Sequence, residues 1–240
     1  MEFALVLVLG LVAGTLGGIV GFGTSIMLMP ALVLVFGPRE AVPIMAVATV
    51  MANASRVAAW WGDIDWRVVG AYSATGFPAA ALGAATLLVL PPRIVEAVLG
   101  CFFLAMIPLR RWMAKREWRM QLWHLAIVGA LIGFLTGIVA STGPINAPFF
   151  LAYGLVKGAY LGTEAMSSIA VYVAKVITFR TLGALPMDAI VKGLVIGSAL
   201  FAGAFIAKRF VKQIPAEKFR LLMDGLLVVA GATMLWAAAA

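Results

Sequence analysis

The stretch Gly14-Thr15-Leu16-Gly17-Gly18-Ile19-Val20-Gly21-Phe22-Gly23-Thr24-Ser25-Ile26-Met27-Leu28-Met29-Pro30 contains the end of a long apolar run, a glycine turn and the start of a much shorter run. Residues 3–21 suit a hydrocarbon core of about 30 Å at about 1.5 Å rise per residue, whereas 24–36 is too short to cross comfortably. Glycine at the break lets backbone turn sharply and approach a ligand. The same element returns from Gly133 to Pro148, where the break Ser141-Thr142-Gly143-Pro144-Ile145-Asn146 opens a second short run at 144–156. Sliding the chain by 119 residues puts Gly10 on Gly129, Gly14 on Gly133, Gly18 on Gly137 and Ile19-Val20 on Ile138-Val139. The chain reads as two copies of one membrane unit.

Composition agrees with that reading. Of 240 residues, 64% are apolar and 12% charged, and mean hydropathy is +1.07. A soluble domain carries about 25% charge and about 45–50% apolar residues. Further apolar runs at 41–61, 67–90, 94–109, 122–141, 165–180, 188–207 and 219–238 are separated by short breaks rich in Gly and Pro. They are too long for strands. The expected fold is an all-α polytopic membrane protein, with room for about eight crossings at roughly 20 residues each. Each half, 1–109 and 122–240, carries a broken or re-entrant helix pair plus three transmembrane helices, and 110–121 is a basic cytoplasmic linker. The N-terminus lacks a basic leader region and reads as a first membrane helix. The single cysteine, Cys101, allows no internal disulfide.

The formal net charge of +8 mostly encodes orientation. Arg110, Arg111, Lys115, Arg116 and Arg119 share one short segment, and Lys208, Arg209, Lys212, Lys218 and Arg220 another. Both segments lie between apolar runs, as the positive-inside rule expects of cytoplasmic loops. Nucleic-acid binding is excluded on this basis. With 110–121 inside, 62–66, 157–163 and 208–218 are inside as well, while 37–39, 91–93, 181–187 and both termini are periplasmic. Each half then has an odd number of crossings, so the repeats are inverted, as in many secondary transporters.

Two cations stand inside apolar helices, Arg56 and Lys175, and the slide superposes them. A mid-bilayer charge costs at least about 2.5–3.5 kcal/mol on insertion scales and usually faces a cavity. Snorkelling is the alternative, since Arg56 is close in sequence to Trp61 and Lys175 to Arg180. The sequence offers neither cation a mid-helix carboxylate, so an anionic ligand is expected to neutralise them. Thr49, Asn53 and Arg56 share one helix face by i, i+4, i+7 spacing, and Ser168, Tyr172 and Lys175 repeat it. Helix–helix hydrogen bonding would also account for such polar residues. The short helices add Gly23, Thr24 and Ser25 in one half and Thr142, Gly143 and Asn146 in the other, at helix starts that favour anions. This donor set has no acidic member, so obligatory proton coupling is not expected.

Other conspicuous residues read as structural. His124 and the tryptophans at 60, 61, 66, 112, 118 and 123 fit an interfacial belt. Glu40, Glu96, Glu164 and Asp188 lie near helix starts, where the macrodipole favours them, and Glu164 is also a candidate gate or proton site. Asp63 and Asp65 belong to a cytoplasmic turn. No metalloprotease, nucleophile-elbow, P-loop or Cys/His pattern is present, so neither enzyme chemistry nor a metal or other cofactor is expected.

The glycine-rich first helix running through Gly21-Phe22-Gly23 into the proline-bearing segment at Pro30 resembles the sulfite exporter TauE/SafE family of membrane transporters. The second copy at Gly133–Pro148 and the Gly62-Asp63-Ile64-Asp65-Trp66 turn extend the likeness over nearly the whole chain. The resemblance implies transport of sulfite, sulfonates such as sulfoacetate, or related anions, most often outward in bacteria. The expected function is export of small sulfur-containing anions across the bacterial inner membrane by alternating access. The partners are then a small anion and the lipid bilayer, and the oligomeric state is open. An anion channel using the same site and a non-transporting membrane scaffold are the alternatives.

Overall fold

The computed structural model describes residues 2–20, 24–91, 119–139 and 142–210, with single positions between 94 and 112 and at 228 and 232. Gly23, Ser141 and most of the basic segments lie outside the described residues, as do most of the apolar runs 94–109 and 219–238. Eight α-helices are described: α1 Glu2–Val20, α2 Thr24–Phe36, α3 Pro38–Ala59, α4 Trp66–Val89, α5 Leu122–Ile138, α6 Gly143–Ala152, α7 Lys157–Thr181 and α8 Met187–Phe210. A single 3-10 turn, Trp61–Asp63, precedes α4, and no strand occurs among the described residues.

Stretches of α3, α4 and α8 are each long and apolar enough to cross a membrane. Large apolar side chains point outward, among them Leu82 (66% exposed), Leu131 (63%) and Val8 (61%). Soluble monomers rarely expose apolar patches on this scale. This is an all-α membrane protein.

The short helices end where local chemistry stops them. Pro38 opens α3, where its missing N–H costs nothing, and Gly37 before it has φ +79°. Helix α6 is shorter than the 144–156 run. Gly154 takes φ +105°, and Leu155 N–H donates to the Phe150 carbonyl at 3.2 Å, closing the helix in a Schellman-type turn. Apolar Leu155 is buried after that turn rather than within the helix. In contrast, α7 begins eight residues before its apolar run at 165–180, so the expected loop at 157–163 is helical. Nothing in Gly158-Ala159-Tyr160-Leu161-Gly162-Thr163 breaks a helix, and Gly158 and Gly162 bring it against Trp60.

Packing repeats between the halves. Helix α1 lies along α8 and α2, and α5 lies along α4 and α6; α3 packs on α8 and α2, and α7 on α4 and α6; α3 and α7 pack on each other. Exchanging α1–α4 for α5–α8 leaves this pattern unchanged. The superposed glycines serve the same purpose in both halves. A methyl at Gly14 would sit 2.8 Å from Leu200 Cα, and one at Gly133 would sit 2.8 Å from Gly76 Cα. Carbon atoms prefer about 3.5–4.0 Å, so these crossings require glycine.

Of the turns assigned to one membrane face, 62–66 and 157–163 lie together. Gly158 abuts Trp60 and Asp63, and Met120 N–H donates to the Ala152 carbonyl at 3.0 Å. At the other end, Lys192 of α8 pairs with Glu40 of α3 at 3.2 Å and with Asp188 at 2.7 Å. Gly14→Ala or Gly133→Ala is expected to lower stability in detergent by about 1–3 kcal/mol, the usual cost of overpacking. Gly70→Ala, where the added methyl meets nothing, should be neutral or stabilising by up to ~1 kcal/mol from helix propensity. Thermal unfolding of the three variants checks the contrast.

Candidate functional site

Helices α3 and α7 cross at the level of their polar faces, and the N-termini of α2 and α6 converge on the same point. There they line a cavity of about 30 Å³. It is lined by Thr24 and Ser25 of α2, Thr49, Asn53 and Arg56 of α3, and Tyr72 of α4. Thr136 of α5, Thr142, Gly143 and Asn146 at the start of α6, and Glu164, Ser168, Val171 and Tyr172 of α7 complete the lining. Of the predicted site residues, all but two stand around this cavity. Gly23 is not among the described residues, and Lys175 is placed behind the wall.

The expectation that no carboxylate neutralises Arg56 is overturned. Arg56 Nη1 donates to Glu164 Oε2 at 2.7 Å, with both side chains buried. Arg56 Nη2 donates to Asn53 Oδ1. The other carboxylate oxygen, Glu164 Oε1, accepts from Ser168 Oγ at 2.8 Å and from Asn146 Nδ2 at 3.5 Å. The Tyr72 hydroxyl donates to Asn146 Oδ1 at 2.8 Å, which turns the amide nitrogen toward Glu164. Ser25 and Thr49 hydroxyls meet at 3.3 Å, and Thr49 Oγ1 also donates to the Met45 carbonyl at 2.7 Å. One network thus ties α3, α4, α6 and α7 together through a single ion pair.

Sequence reasoning placed Glu164 at a helix start because the apolar run begins one residue later. The helix begins at Lys157, so Glu164 lies inside it. Its spacing held a usable signal: Glu164, Ser168, Tyr172 and Lys175 follow i, i+4, i+8, i+11 and share one face. Tyr72, Thr136 and Val171 carried no comparable signal, since their roles depend on tertiary contacts.

Lys175 serves a different purpose from Arg56. Its Nζ donates to the carbonyls of Thr136 at 2.8 Å and Val139 at 2.9 Å, and lies 5.5 Å from the Phe179 ring centroid. Those carbonyls close the C-terminal end of α5, where backbone acceptors lack intrahelical donors and partial negative charge accumulates. The Thr136 and Thr142 hydroxyls are hydrogen-bonded across the break that follows. Lys175 therefore holds the broken segment in place. Among the conspicuous residues read as structural, Asp65 caps α4 by accepting from Arg67 and Val68 N–H. His124 Nδ1 accepts from Gln121 N–H at 2.9 Å.

A polar, charge-paired cavity at the meeting of two short helices inside an apolar bundle is the kind of site membrane transporters hold. The chain matches the family model "Sulfite exporter TauE/SafE" over residues 6–234 and belongs to that family. It is 27% identical over 217 residues to the probable membrane transporter protein y4hK of Sinorhizobium fredii, covering 84% of this chain and 85% of that protein. No solved structure matches it.

Lys175→Met should cost about 1–3 kcal/mol, because it strands the Thr136 and Val139 carbonyls in a buried site. A loss of thermal stability with the helix content of the folded protein unchanged is the expected result. An unchanged melting temperature would show that Lys175 does not hold this break.

Proposed function

We propose that this chain is a secondary transporter that exports small sulfur-containing anions, sulfite or organosulfonates such as sulfoacetate, across the bacterial inner membrane by alternating access. The observation that carries the reading is Arg56, a buried guanidinium facing a cavity on which two helix N-termini converge. A guanidinium presents a planar fork of donors suited to oxyanions, and half-helix N-termini recur at anionic substrate groups in transporters. Thr24, Ser25, Thr49, Asn53, Thr142, Gly143, Asn146, Ser168 and Tyr172 supply the surrounding polar contacts, and Lys175 fixes the break from behind. Gly23 is proposed to join them at the start of α2. Sulfur as the centre of the substrate comes from the family's name, and outward direction from the word exporter.

The exchange-invariant packing supports two repeats, 1–109 and 122–240, joined by the linker 110–121. With the basic segments cytoplasmic, the repeats are inverted and both termini periplasmic. Alternating access would then expose the cavity to each face in turn as the repeats rearrange around it.

Removing Arg56 alone would leave Glu164 buried and unpaired, at a cost of about 3–5 kcal/mol. The cleaner variant is therefore Arg56→Gln combined with Glu164→Gln, which removes both charges at nearly constant volume. In proteoliposomes the wild-type protein should show saturable flux of sulfite or a sulfonate, with counterflow, and the double variant should lose at least about 90% of it. Flux that fails to saturate and shows no counterflow would indicate a channel. Undiminished flux in the double variant would remove Arg56 from the site.

A further inference from the structure

We infer that Glu164 is a built-in counter-ion that the substrate must displace, and that each anion therefore binds together with one proton. The inference rests on the anion-transport reading above and concerns how that site is loaded. Glu164 holds the position an anion would take: its carboxylate receives Arg56, Ser168 and Asn146 together. A sulfonate or sulfite group sets three oxygens around sulfur, and the donors that would receive them, Arg56 Nη1, Ser168 Oγ and Asn146 Nδ2, are already held by the carboxylate. It enters by taking the place of the carboxylate on Arg56.

Charge decides what happens to Glu164. The pair sets one positive guanidinium against one carboxylate and is neutral. Adding a monoanion to this arrangement would leave a net buried negative charge, which is costly in a low-dielectric interior. Protonating Glu164 as the anion arrives restores neutrality: the carboxylate gains a proton, Arg56 passes to the anion, and the neutral acid keeps Ser168 and Asn146 as partners.

The other charged or titratable groups facing Glu164 do not substitute for that proton. Helix α3 contributes Arg56 itself, and α4 contributes Tyr72, already committed to Asn146. From α7 come Tyr160 and Tyr172, with Lys175 farther along and bound to carbonyls. Asp63, in the turn before α4, abuts the start of α7 near Gly158. Among the described residues, α5 and α6 present no acid, base or tyrosine to the cavity.

A ligand that binds with a proton binds more tightly as pH falls, by up to about tenfold per pH unit. A monoanion leaving with its proton carries no net charge, so the membrane potential would not drive it, and the proton coupling is obligatory where the sequence led us not to expect it.

The test uses purified full-length protein and a sulfonate whose own charge is constant across the range, titrated between about pH 6 and pH 8. Wild-type affinity should rise toward low pH, and a weakly buffered solution should show uptake of one proton per bound anion. Glu164→Gln should bind the same sulfonate with pH-independent affinity, at least as tightly as wild type at the acid end, and without proton uptake. Wild-type binding with neither pH dependence nor proton uptake would overturn this inference and leave the transport reading standing. No binding of any sulfonate or sulfite at any pH would instead sink the transport reading. Should Glu164→Gln fail to fold, the proton count on the wild-type protein decides alone.

Discussion

A guanidinium and a carboxylate held 2.7 Å apart in the interior of an apolar bundle constrain most of what surrounds them. Taking two such ions out of water costs several kcal/mol each, which mutual attraction repays only when their other hydrogen-bonding positions are filled. Asn53, Ser168 and Asn146 fill them, and Tyr72 fixes the orientation of Asn146. These residues lie on four helices, so α3, α4, α6 and α7 must meet at one level. A hydrophobic pair of similar volume would give the bundle equal or greater stability. Charge at this point is better explained by function than by folding.

The two halves share a packing plan but not a polar one. Arg56 and Lys175 superpose on the 119-residue slide, yet one finds a carboxylate and the other finds carbonyls. The reason is visible at the superposed positions. Glu164 corresponds to Met45, which cannot pair with a cation, and Met45 is buried in the apolar core beside α2. Lys175 therefore turns to the open end of α5, where its compact ammonium suits two carbonyl acceptors. Among the described residues the repeated scaffold thus carries one buried ion pair, at the cavity that both halves line, with the second cation stiffening its wall.

Much of the fold was legible because membrane helices write themselves as apolar runs bounded by Gly and Pro. The starts of α2, α4 and α8 fell within a residue of those runs. The errors arose where polarity and helix part company. The beginning of α7 is polar because it packs on the Trp60 turn rather than facing lipid, so hydropathy read it as loop and misplaced Glu164. The end of α6 was overextended because Leu155 is apolar and buried, although Gly154 had already ended the helix. The residues around the cavity were mostly legible from helical spacing and from the recurring break. Their partners were not, since the meeting of Arg56 with Glu164 depends on how two helices more than a hundred residues apart in sequence cross.

The neutrality of the closed pair bears on how such a site could work as a carrier. An alternating-access protein must return its empty site past the same hydrophobic barrier that the loaded site crosses. If the empty site were a bare Arg56, that return would drag an uncompensated charge through low dielectric and would be slow. Closure onto Glu164 removes the charge, and replacement of the carboxylate by an anion plus a proton keeps it removed. Partly loaded states differ: a proton without an anion leaves the site positive, and an anion without a proton leaves it negative. The barrier would hold back both. Coupling then needs no separate gate, because the same electrostatic cost that makes a buried ion pair expensive selects the two neutral states for movement.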